Sequence, residues 1–217
     1  MKILNLFLFA GALLFAAACS NGPKGEAAEV NNASTANTEA GTSVAVNTSN
    51  SEMKWAGSKI SETHSGTIKL KDGSLSIKDN KVVGGSFNVD MSTMVNTDMP
   101  ADKGGLKLVG HLASADFFDV ETYPTAKFEI TKVTGLENNE SANSMVYGNL
   151  TLKDVTKEIG FKANINVSGG AVEVTTPDFT IDRTDFGIKY GSGRFFDIAK
   201  DKAIKDKIGL SINLTAG

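Results

Sequence analysis

A two-residue hydropathy period runs through the second half of this 217-residue chain and restricts it to a narrow class of folds. Phe161, Ala163, Ile165 and Val167 alternate with Lys162, Asn164 and Asn166. Val146, Gly148, Leu150 and Leu152 alternate with Tyr147, Asn149 and Thr151, and Ile208, Leu210, Ile212 and Leu214 with Gly209, Ser211 and Asn213. Residues 128–133 and 87–91 follow the same rhythm less strictly. Successive side chains of a strand point to opposite faces, so such segments bury one face and wet the other, as antiparallel sheets do. Turn formers separate them: Lys71-Asp72-Gly73, Asp79-Asn80, Glu137-Asn138-Asn139 and Ser168-Gly169-Gly170. The spacing predicts eight or nine strands in an all-β sandwich or barrel, with no βαβ units. Gly84-Gly85 and Gly148, inside strand patterns, predict bulges or close approaches that curve the sheet.

The rhythm fails once, between about 93 and 125. Leu106, Leu108, His111-Leu112 and Phe117-Phe118 fall nearer helical spacing, Ser114 to Phe118 reads as a helix start or tight turn, and Tyr123-Pro124 ends the stretch. Asp116 and Asp119 suit a helix cap and a first-turn acid. A short helical insertion of this length between strands carries function or caps an opening.

The N-terminus has a different character. Lys2 precedes an apolar run from Ile3 to Ala17, and Ala18-Cys19 follows, Cys19 being the only cysteine. At about 15 residues the run is shorter than the ~20 that span a bilayer. A positive start, an apolar middle and a small-residue exit make a secretory leader of residues 1–18. With the cysteine at the cleavage point it resembles a bacterial lipoprotein signal, in which Cys19 would be acylated. Ala16-Ala17-Ala18 also suits ordinary cleavage, which would leave a free N-terminal thiol. Residues 19–50 are rich in Asn, Ala, Ser, Thr, Gly and Glu, a composition that predicts a flexible tether with a span of about 30 Å.

Residues 51–217 are one domain's worth of chain. The formal charge of −3, or −4 once Lys2 leaves with the leader, carries no basic footprint for nucleic acid. A single cysteine allows no internal disulfide, so the fold rests on its core.

The segment from Trp55 onward resembles the YceI-like family, lipocalin-like envelope domains described as polyisoprenoid-binding. The resemblance is carried by Trp55 with His64-Ser65, Gly84 to Asp90, Gly110-His111-Leu112-Ala113-Ser114-Ala115-Asp116-Phe117-Phe118-Asp119 and Tyr123-Pro124-Thr125-Ala126-Lys127-Phe128. Gly148 to Lys157 and Asp182-Arg183-Thr184-Asp185-Phe186-Gly187 continue it. Val109-Gly110 stands where many members carry Arg-Asp, and the Gly- and Phe-rich stretch 190–202 departs as well. The resemblance implies an antiparallel lipocalin-like β-barrel of about eight strands whose interior takes a long-chain lipid: a polyisoprenoid, an isoprenoid quinone or a fatty-acid amide. A tail of ~40 heavy atoms at about −0.3 kcal/mol each reaches on the order of −12 kcal/mol.

The candidate ligand-binding residues are Trp55, His64, Phe87, His111, Leu112, Phe117, Phe118, Phe128, Phe179, Arg183, Phe186 and Arg194. Core packing could use each aromatic, but two adjacent phenylalanines cannot both face inward on one strand, so Phe117 or Phe118 is expected at an opening. Arg183, between Asp182 and Asp185, reads first as a salt-bridged corner and second as a head-group ligand; Arg194 is balanced between the two. His64 and His111 lie 47 residues apart without a third spaced ligand, so no metal site is expected. His64-Ser65 with Asp185 could be drawn as a triad, but no nucleophile elbow surrounds Ser65, and no catalytic residue or cofactor is assigned. The expected protein is a non-enzymatic, lipid-anchored lipid binder of the bacterial envelope, on the outer membrane facing the periplasm, with a homodimer left open. The alternatives are a filled barrel acting as an interaction or stress-protective module and, third, a lipid-acting enzyme.

Overall fold

The alternating segments form strands at the positions their period indicates. The computed structural model describes residues 22–217; the leader and Cys19 lie outside the described residues. In chain order the strands are β1 (Glu26–Ala27), β2 (Glu29–Asn32), β3 (Thr42–Ala45), β4 (Glu52–Ser58), β5 (Thr63–Lys78) and β6 (Lys81–Asn96). After helix α1 (Gly105–Ala113) come β7 (Thr125–Gly135), β8 (Ser144–Leu152), β9 (Val155–Ser168), β10 (Ala171–Thr175), β11 (Phe179–Asp182) and β12 (Lys207–Ala216). Antiparallel pairing runs from β4 through β5, β6, β7, β8, β9 and β10 to β12, and β12 pairs back onto β4. The sheet closes as an eight-strand antiparallel barrel, and closure removes the exposed edges an open sheet would leave.

The strand glycines act where curvature demands. Gly85 has φ 134°, beside a register irregularity between β5 and β6. A Cβ on Gly148 would stand 2.3 Å from the Phe128 ring, so only glycine lets β8 pass that side chain.

One stretch of wall is built from an unexpected part of the chain. β10 covers β9 only over residues 164–168. Beyond Thr175 the chain continues as β11, which pairs with β12 and leaves residues 157–160 of β9, paired with β8 on one edge, without a barrel strand on the other. Residues 26–32 fill that slot, with β1 lying parallel on β11 and β2 antiparallel on β9. The chain then crosses β8 and β7, where Ser34 and Asn149 exchange hydrogen bonds and Asn37 donates to the Ile130 carbonyl, and β3 pairs with β5. The free leash expected over residues 19–50 is therefore corrected for the described part: main-chain pairing binds it to the barrel. Its polar composition hid this, because ladder bonds need no particular side chain.

The insertion is shorter than expected, since β6 continues to Asn96. Its helix takes in Leu106, Leu108, His111 and Leu112 of the residues with helical spacing and stops before Phe117-Phe118. Ser114 is the C-cap of α1, its N–H and hydroxyl both donating to the His111 carbonyl, so of the two readings of Ser114 to Phe118, helix start or tight turn, the turn is the one present. Asp116 and Asp119 are not helix-start residues: Asp116 bonds His111, and Asp119 sits in the left-handed region at φ 48°.

Candidate functional site

Inward side chains fill one half of the barrel and leave the other hollow. The filled half is held by a chain of aromatic rings. Phe87 lies 5.3 Å from Phe128, Phe128 lies 5.6 Å from Phe161, and Phe161 stacks on Phe179 at 4.6 Å. These residues, with Phe186, are buried and do not line the hollow. Of the candidate residues, Phe87, Phe128, Phe179 and Phe186 are thus placed in the packed core; Phe161 joins them.

The hollow half encloses a cavity of about 700 Å³, within the range of small-molecule sites, ~300–1,000 Å³. Its wall is apolar: Met53 and Trp55 on β4, Ile68 on β5, Val89, Met91 and Met94 on β6, Ala126 on β7, and Leu150 and Leu152 on β8. Ile181 of β11 and Ile208 and Leu210 of β12 complete it. Leu108, His111 and Leu112 of α1 cover one side together with Phe117 and Phe118. Both phenylalanines reach the cavity, which a strand would forbid; they lie in the turn after α1, where alternation does not hold. Seven candidates line the cavity: Trp55, His64, His111, Leu112, Phe117, Phe118 and Arg183.

Polar groups gather at the mouth. His64 Nδ1 lies 2.9 Å from Asp98 Oδ2 and its Nε2 lies 3.6 Å from Glu62. Burial pushes the Asp98 carboxyl up, but hydrogen bonds from the Ser65 N–H, His64 and Asn96 together outweigh it and hold the group below its ordinary value. His111 Nε2 meets Asp116 at 3.0 Å, and its ring packs edge-on against Phe117 and Tyr190. Trp55 Nε1 donates to the Thr67 carbonyl. Asp185 is not brought to His64; it faces Lys157, Asp182 and Arg194, and its carboxyl is raised by burial and then by the Asp182 charge. Among the described residues no group of three His, Cys, Asp or Glu is placed to hold a metal ion.

Arg183 is 2% exposed, and its guanidinium is committed to the fold. Nη1 donates to the Ile188 carbonyl at 2.9 Å; Nε and Nη2 donate to the Lys205 and Ile204 carbonyls; and Nη2 also reaches Asp206 Oδ1 at 3.2 Å. Desolvation lowers its pKa against the opposing charges of Asp206 and Asp182. The salt-bridged corner is the arrangement present, and it ties the turn after β11 to the segment entering β12. Arg194 lies outside the cavity lining, pairing with Asp182 at 2.7 Å while its side chain is mostly in solvent.

Sequence reasoning missed the mouth cations Lys59, Lys202, Lys205 and Lys207, and Tyr190 and Phe196 beside them. The signal was present in the insertion, which marks the open end, and in the lysine-rich approach to the last strand.

Residues 44–216 match the YceI-like domain. The chain belongs to the YceI-like family. A UPF0312 protein of Pseudomonas putida strain F1 is 35% identical over 132 residues, covering 57% of this chain and 63% of that protein. One of Pseudomonas aeruginosa strain LESB58 is 40% identical over 88 residues, covering 38% and 44%. The matches thus span less than two thirds of either relative's length. Among solved structures, BcnA of Burkholderia cenocepacia superposes with a TM-score of 0.60 at 18% identity, over 79% of this chain and 99% of that one. A polyisoprenoid binding domain from Saccharophagus degradans gives 0.55 at 15% identity, over 80% and 97%. At these identities the likeness is one of fold, and the YceI-like barrel is what they share.

Proposed function

We propose that this YceI-like protein is a lipid-anchored protein of the bacterial envelope, held through Cys19 on the outer membrane and facing the periplasm. Its barrel shelters a long-chain apolar ligand, a polyisoprenoid, isoprenoid quinone or fatty-acid amide, for transport or storage, by burial and release without bond making. One observation carries the reading: a closed barrel with an apolar cavity of about 700 Å³, opening at one end and backed by a packed aromatic core at the other. A water-insoluble chain gains by leaving water for such a wall, at roughly 25 cal/mol per Å² of apolar surface buried. The Saccharophagus neighbour's description as a polyisoprenoid binding domain supports the class of ligand.

Ala126 lines the cavity and is 4% exposed, so a larger side chain there must grow into the hollow or strain the wall. Ala126→Phe is expected to weaken retention of a long-chain isoprenoid quinone at least tenfold while the far-UV spectrum stays that of a barrel. Undiminished quinone binding by a folded Ala126→Phe protein would place the ligand elsewhere and overturn the reading.

A further inference from the structure

The large apolar side chains left in solvent are gathered at one end of the barrel. Among the described residues they are Ile60, Val95, Leu106, Tyr190, Phe195 and Phe196, and Leu106 is the most exposed at 71%. Tyr190 and Phe196 line the cavity mouth; Ile60 follows the mouth residue Lys59, Val95 follows Met94, and Leu106 lies on α1 two residues before Leu108 and five before His111. Three separate pieces of chain, the β4–β5 turn, α1 and the loop before β12, therefore each raise an apolar side chain around the same opening. Side chains scattered singly need no explanation, whereas a ring around a lipid-lined hole has one in common.

The N-terminal chain leads to the same end. The described chain starts at Gly22, where a Cβ would lie 2.9 Å from the Nζ of Lys205, a mouth residue, and Pro23 packs against Gly209 near the mouth end of β12. Two residues separate Cys19 from Gly22, and the three steps between them, at ~3.3–3.6 Å each, span at most about 11 Å. Residues that could have made a long leash are instead spent in the wall and on the outer surface. An acyl group on Cys19 therefore brings the bilayer to the mouth and not to the packed end.

The charges fit that partner. Several mouth acids are occupied: Glu62 with Lys59 and His64, Asp98 with His64, Asp116 with His111, and Asp182 and Asp206 with the two arginines. Among the described residues Lys103, Lys107, Lys202 and Lys207 take no part in such pairs, which leaves them to meet lipid phosphates, offset in part by Asp102, Asp197 and Asp201. Apolar side chains interleaved with lysines are the composition of a surface lying in the headgroup layer.

We propose that the rim of the barrel mouth is a membrane-docking surface, with Leu106, Ile60 and the Phe195-Phe196 pair entering a phospholipid bilayer so that the cavity opens onto the phase in which its ligand dissolves. The proposal rests on the anchoring at Cys19. The test is photocrosslinking of the full acylated chain in vesicles of phosphatidylethanolamine and phosphatidylglycerol, 3:1. Leu106→p-benzoylphenylalanine and Ile60→p-benzoylphenylalanine are compared with the same replacement of Glu140, in the turn between β7 and β8 away from the mouth. None of the three lines the cavity, so adducts report the surroundings and not the cargo. The expected result is at least ten times more phospholipid adduct from positions 106 and 60 than from 140. Equal adduct from all three, an excess from 140, or a protein adduct in place of lipid at 106 would overturn it. Extracting the same samples for bound lipid separates the two readings. Aqueous labels on a loaded barrel defeat docking alone, and membrane-embedded labels on an empty barrel defeat ligand binding alone.

Discussion

Arg183 shows how a charged side chain beside a cavity can serve the wall. It is buried, and its donors are divided among the Ile188, Ile204 and Lys205 carbonyls and the Asp206 carboxylate. Arg183→Met removes the cation and leaves Asp206 and three carbonyls short of a partner, a loss expected at about 3–5 kcal/mol and readable by urea denaturation. A change below 1 kcal/mol would mean the guanidinium is dispensable to the corner. Asp98 makes a smaller, pH-dependent contribution. Its folded pKa lies below the ordinary 3.8, so its stabilisation is present above that value and is lost as pH falls through the folded pKa. Asp98→Asn should lower stability at pH 7 by no more than about 1 kcal/mol at its exposure, and the two proteins should converge as the pH falls below the folded pKa. Asp185 has the opposite sign. Its pKa is raised, so the cost is absent below 3.8 and sets in as pH rises through the folded pKa; the residue is exposed and screened, so Asp185→Asn should raise Tm at pH 7 by no more than about 1–2 °C and leave it unchanged at pH 3. At this scale the sequence was partly legible. Asp182-Arg183-Thr184-Asp185 announced a corner, but which carboxylate Arg183 meets depends on Asp206, 23 residues away and brought near only by the pairing of β11 with β12.

Among the elements, the alternating strands could be read directly, because half-buried strands must write their two faces into the chain. Period two marked β8, β9 and β12, and the glycines marked the bends. The wall segment 26–32 could not be read this way. Glu29, Asn31 and Asn32 carry no apolar rhythm, and what holds the segment is its backbone between β9 and β11. That makes it testable through the backbone. The Ala28 N–H donates to the Thr180 carbonyl at 2.8 Å; Ala28→Pro removes this donor and should cost about 1–3 kcal/mol locally. Amide exchange should quicken at residues 157–160 and 179–182 and stay slow in β5 to β8. Uniform quickening would show that the segment is part of the global cooperative unit, and no change would show that it does not hold the wall. The helical spacing from Leu106 was legible as α1, but whether Ser114 opens a helix or closes one into a turn was not. A serine hydroxyl can accept from a backbone N–H at a helix start or donate to a carbonyl at a helix end; here Ser114 donates to His111, and the turn through Phe117 and Phe118 follows.

For the whole molecule, the decisive property is that the barrel is packed at one end and hollow at the other. Phenylalanines were legible as interior residues but not as core or lining. Phe128 and Leu150 face each other across β7 and β8, and one closes the aromatic core while the other lines the cavity. As register partners they stand side by side, and what separates them is whether a ring or the hollow lies opposite, which hydropathy does not encode. The family resemblance anticipated the barrel, and Trp55, His64, His111, Leu112, Phe117, Phe118 and Arg183 do come to one cavity although they are spread over some 130 residues of sequence. That cavity exists to be filled, if ligand shelter is its purpose. The measurement that bears most directly on this is mass spectrometry of an organic extract of the full chain, purified under mild conditions from its own envelope. The account predicts one long-chain apolar lipid at close to one per protein, displaced in the Ala126→Phe variant. A barrel that comes out empty, and stays empty after incubation with quinones, polyprenyl phosphates and fatty-acid amides, would contradict it.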